Sequence, residues 1–331
     1  MIRATGVGSM PGDDAAAFHE AVKVVLGELP DLPHVPELPG RGPHADLTGR
    51  TLAIVADLDA DLQPAGWRLT GSSGSPGMDH RRARSLLAQD LDTVEEQAQG
   101  FEGTFKVQVA GPWTLAATVE RPRGDRLLAD RGARHELAQA LAEGVRTHVA
   151  DVRRRLPGAD LVVQVDEPAL PGVLAGNIPT ASGFHRHRSV DDAEARPALE
   201  WVFAAATETG ATPVAHCCAP DVPDRLLLGS GAAGLSVDLD VLAPATYDVL
   251  AELLEAGRPV HLGVVPSTRP PSIPTARGVV ERVLRWLEML GLDPESGSSL
   301  VLTPACGLAG ADAEWAHEAL RSVQQAAAGL R

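Results

Sequence analysis

The stretch VAHCCAP, residues 214–220, puts two of the chain's three cysteines side by side, directly after a histidine. Side chains along a strand alternate faces with a period of two. His216 and Cys218 therefore share a face, while Cys217 points the other way, to pack against helices as a small hydrophobe. Cys306 follows another apolar run, in TPACG, where Gly307 lets the chain turn sharply. One imidazole and two thiolates suit Zn2+, which takes nitrogen and sulfur ligands tetrahedrally. A carboxylate would complete a protein-only set. Asp238, closing the run GLSVD, is the best placed, and Asp240 shares its parity and stands in reserve. Alone, the short His-x-Cys pattern reads first as a buried histidine with core cysteines. Cys306 and Asp238 at two further strand ends turn the balance toward a metal.

Such a set suits a particular chemistry. Zinc held by thiolates activates water weakly but holds a further thiolate well. A free thiol has a pKa of about 8.5, and coordination deprotonates it, giving a nucleophile at neutral pH. The expected reaction is alkyl transfer onto a substrate thiol; the acid–base pair of a zinc hydrolase is not evident.

Residues this far apart in the chain need a fold that gathers strand ends. Apolar, β-branched runs at 4–8, 105–110, 160–165, 212–217, 234–237, 260–265 and 299–303 alternate with amphipathic stretches at 134–155, 193–207, 245–256, 275–290 and 311–328. That alternation predicts βαβ units around a parallel sheet. The region 45–69 reads as a helix over 45–58 and an eighth strand over 62–69. Eight strands predict a (β/α)8 TIM barrel with extra loops, whose functional groups gather at the C-terminal ends of the strands. No GxGxxG or GxxxxGK[ST] pattern follows an early strand. Segments 71–77 and 266–274 read as long loops, and residues 1–331 as a single domain.

The composition narrows the partners. A net charge of −15 argues against nucleic acid, and the basic run His80, Arg81, Arg82, Arg84 reads as a solvated helix start. No apolar run is long enough to span a membrane, and MIRATGVGSMPGDD lacks the apolar core of a signal peptide. Few cysteines and no disulfide framework predict a cytoplasmic protein.

GSMP, VQVDEPAL, AHCC, LSVD and TPACGL, in that order, resemble the C-terminal catalytic barrel of cobalamin-independent methionine synthase, which shares a superfamily with uroporphyrinogen decarboxylase. The resemblance spans essentially the whole chain. It implies zinc held by His216, Cys218, Cys306 and Asp238, the last in place of the family's glutamate, with homocysteine as the thiol. It also implies that Ser9 and Asp166, with Glu167 beside it, hold the amino-acid end of homocysteine. The residue types agree, since a carboxylate can pair with an ammonium while a hydroxyl and backbone N–H groups can take a carboxylate. For Asp166 and Glu167 the competing reading is a pair capping the following helix. Pro112 and Trp113 read as a wall for the methyl donor or as core.

The family's full-length enzymes carry an N-terminal half that contributes to folate binding, with no counterpart in this sequence. Where the family has an aspartate and a catalytic histidine after a strand end, this chain reads GVVPSTRP. Arg269, His185 and His187 are the candidates to replace that proton donor. The resemblance is thus to short, core-only relatives, with the methyl donor left open between folate and a methylcorrinoid protein. Two other functions stay open: a uroporphyrinogen decarboxylase-like lyase, which needs cationic residues and no metal, and a diverged barrel that binds a thiol or metal without turnover.

Overall fold

The computed structural model describes residues 2–71, 76–293 and 299–330; part of the predicted 71–77 loop lies outside them. The chain runs β1 (Arg3–Ala4), α1 (Ala15–Glu28), α2 (Leu47–Ile54), β2 (Ala60–Gln63), β3 (Gly66–Leu69), α3 (Met78–Gln97) and β4 (Gly103–Ala110). It continues through α4 (Pro112–Thr118), α5 (Arg131–Arg155), β5 (Ala159–Asp166), α6 (Leu170–Leu174), α7 (Asp192–Glu208), β6 (Thr212–His216) and α8 (Asp224–Gly229). Last come β7 (Gly234–Asp238), α9 (Pro244–Glu255), β8 (Val260–Val265), α10 (Ala276–Met289), β9 (Leu300–Pro304) and α11 (Ala313–Gly329). Aspartates cap many of the helices: Asp14, Asp46, Asp130, Asp191 and Asp312 each accept a backbone N–H from the first turn of α1, α2, α5, α7 and α11. Among the described residues no helix is long and apolar enough to cross a membrane.

Seven parallel strands form one curled sheet in the order β1-β9-β8-β7-β6-β5-β4. The predicted eighth strand is not in it. Residues 60–69 fold into an antiparallel hairpin, β2 with β3, outside the sheet. The cause is local: Pro64 interrupts the apolar run and Gly66, at φ 124, turns the chain back. The predicted helix over 45–58 shortens to α2.

The seven strands do not close into a regular barrel. The gap between β1 and β4 is spanned by the extended segment 33–37 instead. It exchanges backbone hydrogen bonds with Lys106 on one side (Lys106 N to Pro33 O, 2.9 Å; Val35 N to Lys106 O, 3.0 Å) and with the chain after β1 on the other (Glu37 N to Gly8 O, 3.1 Å; Met10 N to Glu37 O, 2.8 Å). Pro33 and Pro36 have no N–H to give, which limits this segment to isolated bridges and hides it from a strand pattern.

Inside the sheet, Leu32, Val162, Val214 and Val301 form a small apolar cluster. One step along β5 toward its C-terminal end, the next side chain on Val162's face is Gln164, and after that Asp166. The interior thus changes from apolar to polar toward the strand ends, and Lys106, His34, Gln164 and His261 are all buried. The basic run at the start of α3 divides: Arg81 and Arg82 are exposed, whereas His80 is fully buried against the Leu52 carbonyl.

Candidate active site

A cavity of about 220 Å³ opens at the C-terminal ends of the strands, lined among others by Ser9, Glu37, Asp166, His216, Cys218 and Cys306. The six come from five stretches of chain, with only His216 and Cys218 sharing one, and the register explains the meeting. Asp166 on β5 stands opposite His216 on β6, and His216 opposite Ser236 on β7.

His216 is 4% exposed. Its Nδ1 lies 3.2 Å from the Ser236 carbonyl and 3.0 Å from Ser236 Oγ. A carbonyl only accepts, so Nδ1 carries a proton and donates, which leaves Nε2 as the nitrogen that meets a metal or a thiol. Two residues on, Cys218 Sγ lies 3.1 Å from Cys306 Sγ. Cys306 is the more acidic of the pair. Its hydrogen bond from Cys218, aided by the His216 imidazole, holds it below the usual thiol range, while the same contact drives Cys218 up. Burial lowers His216, and the Cys306 and Asp166 charges more than restore it. Cys217 joins the hydrophobic core, where burial pushes its thiol up to about 11. The alternation of faces therefore sends the two neighbouring cysteines to different surroundings.

Ligand atoms of His216, Cys218 and Cys306 all lie within 4.8 Å of one another. These donors fit zinc by type. Two thiolates at ~2.3 Å on a tetrahedral ion sit about 3.8 Å apart, so the sulfurs need to part by only roughly 0.7 Å. Asp238 is not in that group. Its Oδ1 accepts the Asp240 N–H at 2.9 Å, and burial raises its pKa. Asp240 is exposed and paired to Arg282 at 2.5 Å.

In the same cavity, beside the turn that follows Cys306, Ser9 Oγ accepts the Ala309 N–H at 3.4 Å, and its carbonyl accepts the Leu308 N–H at 2.8 Å. Gly307 is required there, because a Cβ would fall 2.1 Å from Ser9 Oγ. Asp166 is buried and accepts Gln164 Nε2 at 2.7 Å. Burial pushes Asp166 up and Lys106 down, and each charge opposes the other's shift.

Glu37 is the residue that sequence reasoning missed. It lies in HVPELPG, a proline-broken segment with no strand signal, yet it lines the cavity. Burial pushes it up to about 7 against the pull of Arg50, 3.7 Å away. Arg50 and Arg41 in turn share the buried Asp90. The cavity thus presents two carboxylates along with the imidazole and the two sulfurs, and the carboxylates attract an ammonium and repel a polycarboxylate.

Glu167 departs from the expectation. It does not line the cavity; its carboxylate accepts the N–H groups of Trp113 (2.9 Å) and Thr114 (2.8 Å) and the Thr114 hydroxyl (2.7 Å). It caps α4, the helix after the neighbouring strand β4, and not the helix that follows it in sequence. Gly111 makes room, since a Cβ there would lie 2.3 Å from the carboxyl carbon. Glu167→Ala leaves three donors without a partner, and the expected cost is about 3 kcal/mol. Urea unfolding should show that loss with thiol affinity unchanged; lost affinity at full stability would return Glu167 to the binding site.

The remaining candidates lie elsewhere. Arg269 is held by Asp312 and Glu314, His187 sits 3.3 Å from Asp125, and His185 is exposed. None of the three lines the cavity. Trp113 is 2% exposed and donates to the Ala195 carbonyl, so it packs in the core.

Comparison with known proteins agrees with the motifs. Residues 102–329 match the family described as cobalamin-independent synthase, catalytic domain, and the chain belongs to that family. Among solved structures it is similar to a B12-independent methionine synthase from Shewanella sp. W3-18-1 in complex with selenomethionine. That match has 14% identity and a TM-score of 0.67, covering 100% of this chain and 98% of the other. A β-mannanase from the blue mussel Mytilus edulis overlaps at 12% identity and a TM-score of 0.45, over 98% of this chain and 91% of that one. No curated protein matches.

Proposed function

We propose that this chain is a zinc-dependent methyltransferase that methylates the thiol of homocysteine or a closely related amino thiol. The observation that carries this reading is the one cavity shared by an imidazole, two sulfurs, Ser9, Glu37 and Asp166. His216, Cys218 and Cys306 would hold the metal, with Asp238 at the end of β7 proposed for a fourth position. Zinc there would supply the charge that keeps a substrate thiol ionised at neutral pH.

The chain's own residues do the rest. Asp166 and Glu37 take the acceptor's ammonium, while the Ser9 hydroxyl takes its carboxylate. Held by both its ammonium and its carboxylate, the amino acid has its sulfur directed toward the two cysteines, which replaces a search in solution by a fixed approach. Ser236 keeps the His216 proton on Nδ1. Among the described residues none of the three proton-donor candidates lines the cavity, which favours a donor whose leaving group departs unprotonated, as a methylcorrinoid does. The acidic lining disfavours a porphyrinogen with its many carboxylates. We further propose a (β/α)8 plan with segment 33–37 in the second strand position, residues 1–331 as one catalytic domain, and a reducing cytoplasm as its setting.

The test is an assay of zinc-loaded protein with L-homocysteine and either methylcobalamin or methyltetrahydrofolate. Methionine should form with the corrinoid donor. Homocysteine binding without turnover on either donor would instead identify a thiol-binding barrel that has lost catalysis.

A further inference from the structure

Lys106 is fully buried on β4, below the cavity and absent from its lining. A buried ammonium must find acceptors, and this one has two. Nζ donates to the Val7 carbonyl at 2.7 Å and to Gln164 Oε1 at 2.8 Å. Gln164 donates in turn through Nε2, to the same Val7 carbonyl at 2.8 Å and to Asp166 Oδ1 at 2.7 Å. An amide side chain has one accepting end and one donating end. Lys106 can only donate, so it fixes Oε1 as the end turned toward itself and leaves the NH2 group for Asp166. With the ammonium gone, a flipped amide would set its oxygen against the Asp166 carboxylate. Val7, moreover, lies two residues before Ser9, so one cation braces both arms of the amino-acid site.

We infer that Lys106 is a positioning residue for the acceptor's amino group: through Gln164 it orients Asp166, and through Val7 the Ser9 loop, and so sets a preference for amino thiols over plain thiols. This rests on the thiol-acceptor reading given above. Lys106 touches neither substrate nor metal ligands, and its effect passes through side-chain orientation.

The experiment is calorimetric titration of the zinc-loaded protein with L-homocysteine and with mercaptobutyrate, which keeps the thiol and carboxylate but lacks the amine. The wild type should prefer homocysteine. Lys106→Met should weaken homocysteine at least ten-fold and mercaptobutyrate less than two-fold. Gln164→Met, which removes the relay but keeps the lysine, should show the same selective loss and carries the test if the lysine variant does not fold. Equal affinities to wild type in both variants, or equal losses for both ligands, overturn the inference. A wild-type protein that binds neither thiol overturns the acceptor reading itself, and this inference with it.

Discussion

Cys306→Ser is expected to release the metal. Zinc sites formed by four ligands bind with about 10–16 kcal/mol, so one ligand supplies roughly 3 kcal/mol, or about two decades in affinity. A serine hydroxyl stays protonated at neutral pH and cannot replace the thiolate that Cys306 provides. Metal analysis after dialysis against a chelator should fall from one zinc per chain to below a tenth. The neighbouring residue supplies the control. Cys217→Ser alters a side chain that packs in the hydrophobic core and should keep its zinc, although it lies next to Cys218. Full occupancy in Cys306→Ser, or equal loss in Cys217→Ser, would contradict the assignment of the sulfurs.

The second large effect is expected at Asp166. Asp166→Asn keeps an acceptor for Gln164, because the introduced amide can turn its oxygen to Nε2, but removes the charge that meets the ammonium. A hydrogen bond to a charged group contributes about 1.5–3 kcal/mol, so KM for homocysteine should rise roughly 10- to 100-fold. The rate at saturation should change far less, because the ammonium pairs equally in ground state and transition state. Steady-state kinetics over a range of homocysteine concentrations separates the two. An unchanged KM would move the amino group elsewhere, and Glu37, across the same cavity, would be the next residue to replace.

The sulfur and imidazole donors were legible in the sequence because they obey two strong regularities. Strand side chains alternate, which paired His216 with Cys218 and separated Cys217. Functional groups also collect at C-terminal strand ends, which brought Cys306 into the same set. The same alternation, applied to Asp166 and Glu167, separates them as well: adjacent residues at a strand end cannot both face the cavity, and Glu167 turns to α4. Segment 33–37 was hidden for a different reason. Its two prolines remove the N–H groups and the apolar rhythm that mark a strand, so Glu37 had no element to place it. Lys106 was hidden by its type, since a lysine in a strand is ordinarily solvated, and only the three-dimensional partners of Gln164 and Val7 give it a buried role. The run 60–69 has strand composition and does form strands, but a proline and a glycine fold it onto itself before it can join the sheet.

The central claim is that two remote segments supply one nitrogen and two sulfurs to a common metal and leave room beside it for a substrate thiol. X-ray absorption at the zinc edge, on zinc-loaded protein before and after homocysteine is added, tests this most directly. The account predicts two sulfurs around the metal in the protein alone and three with homocysteine. A count that stays at two while homocysteine is bound would contradict it.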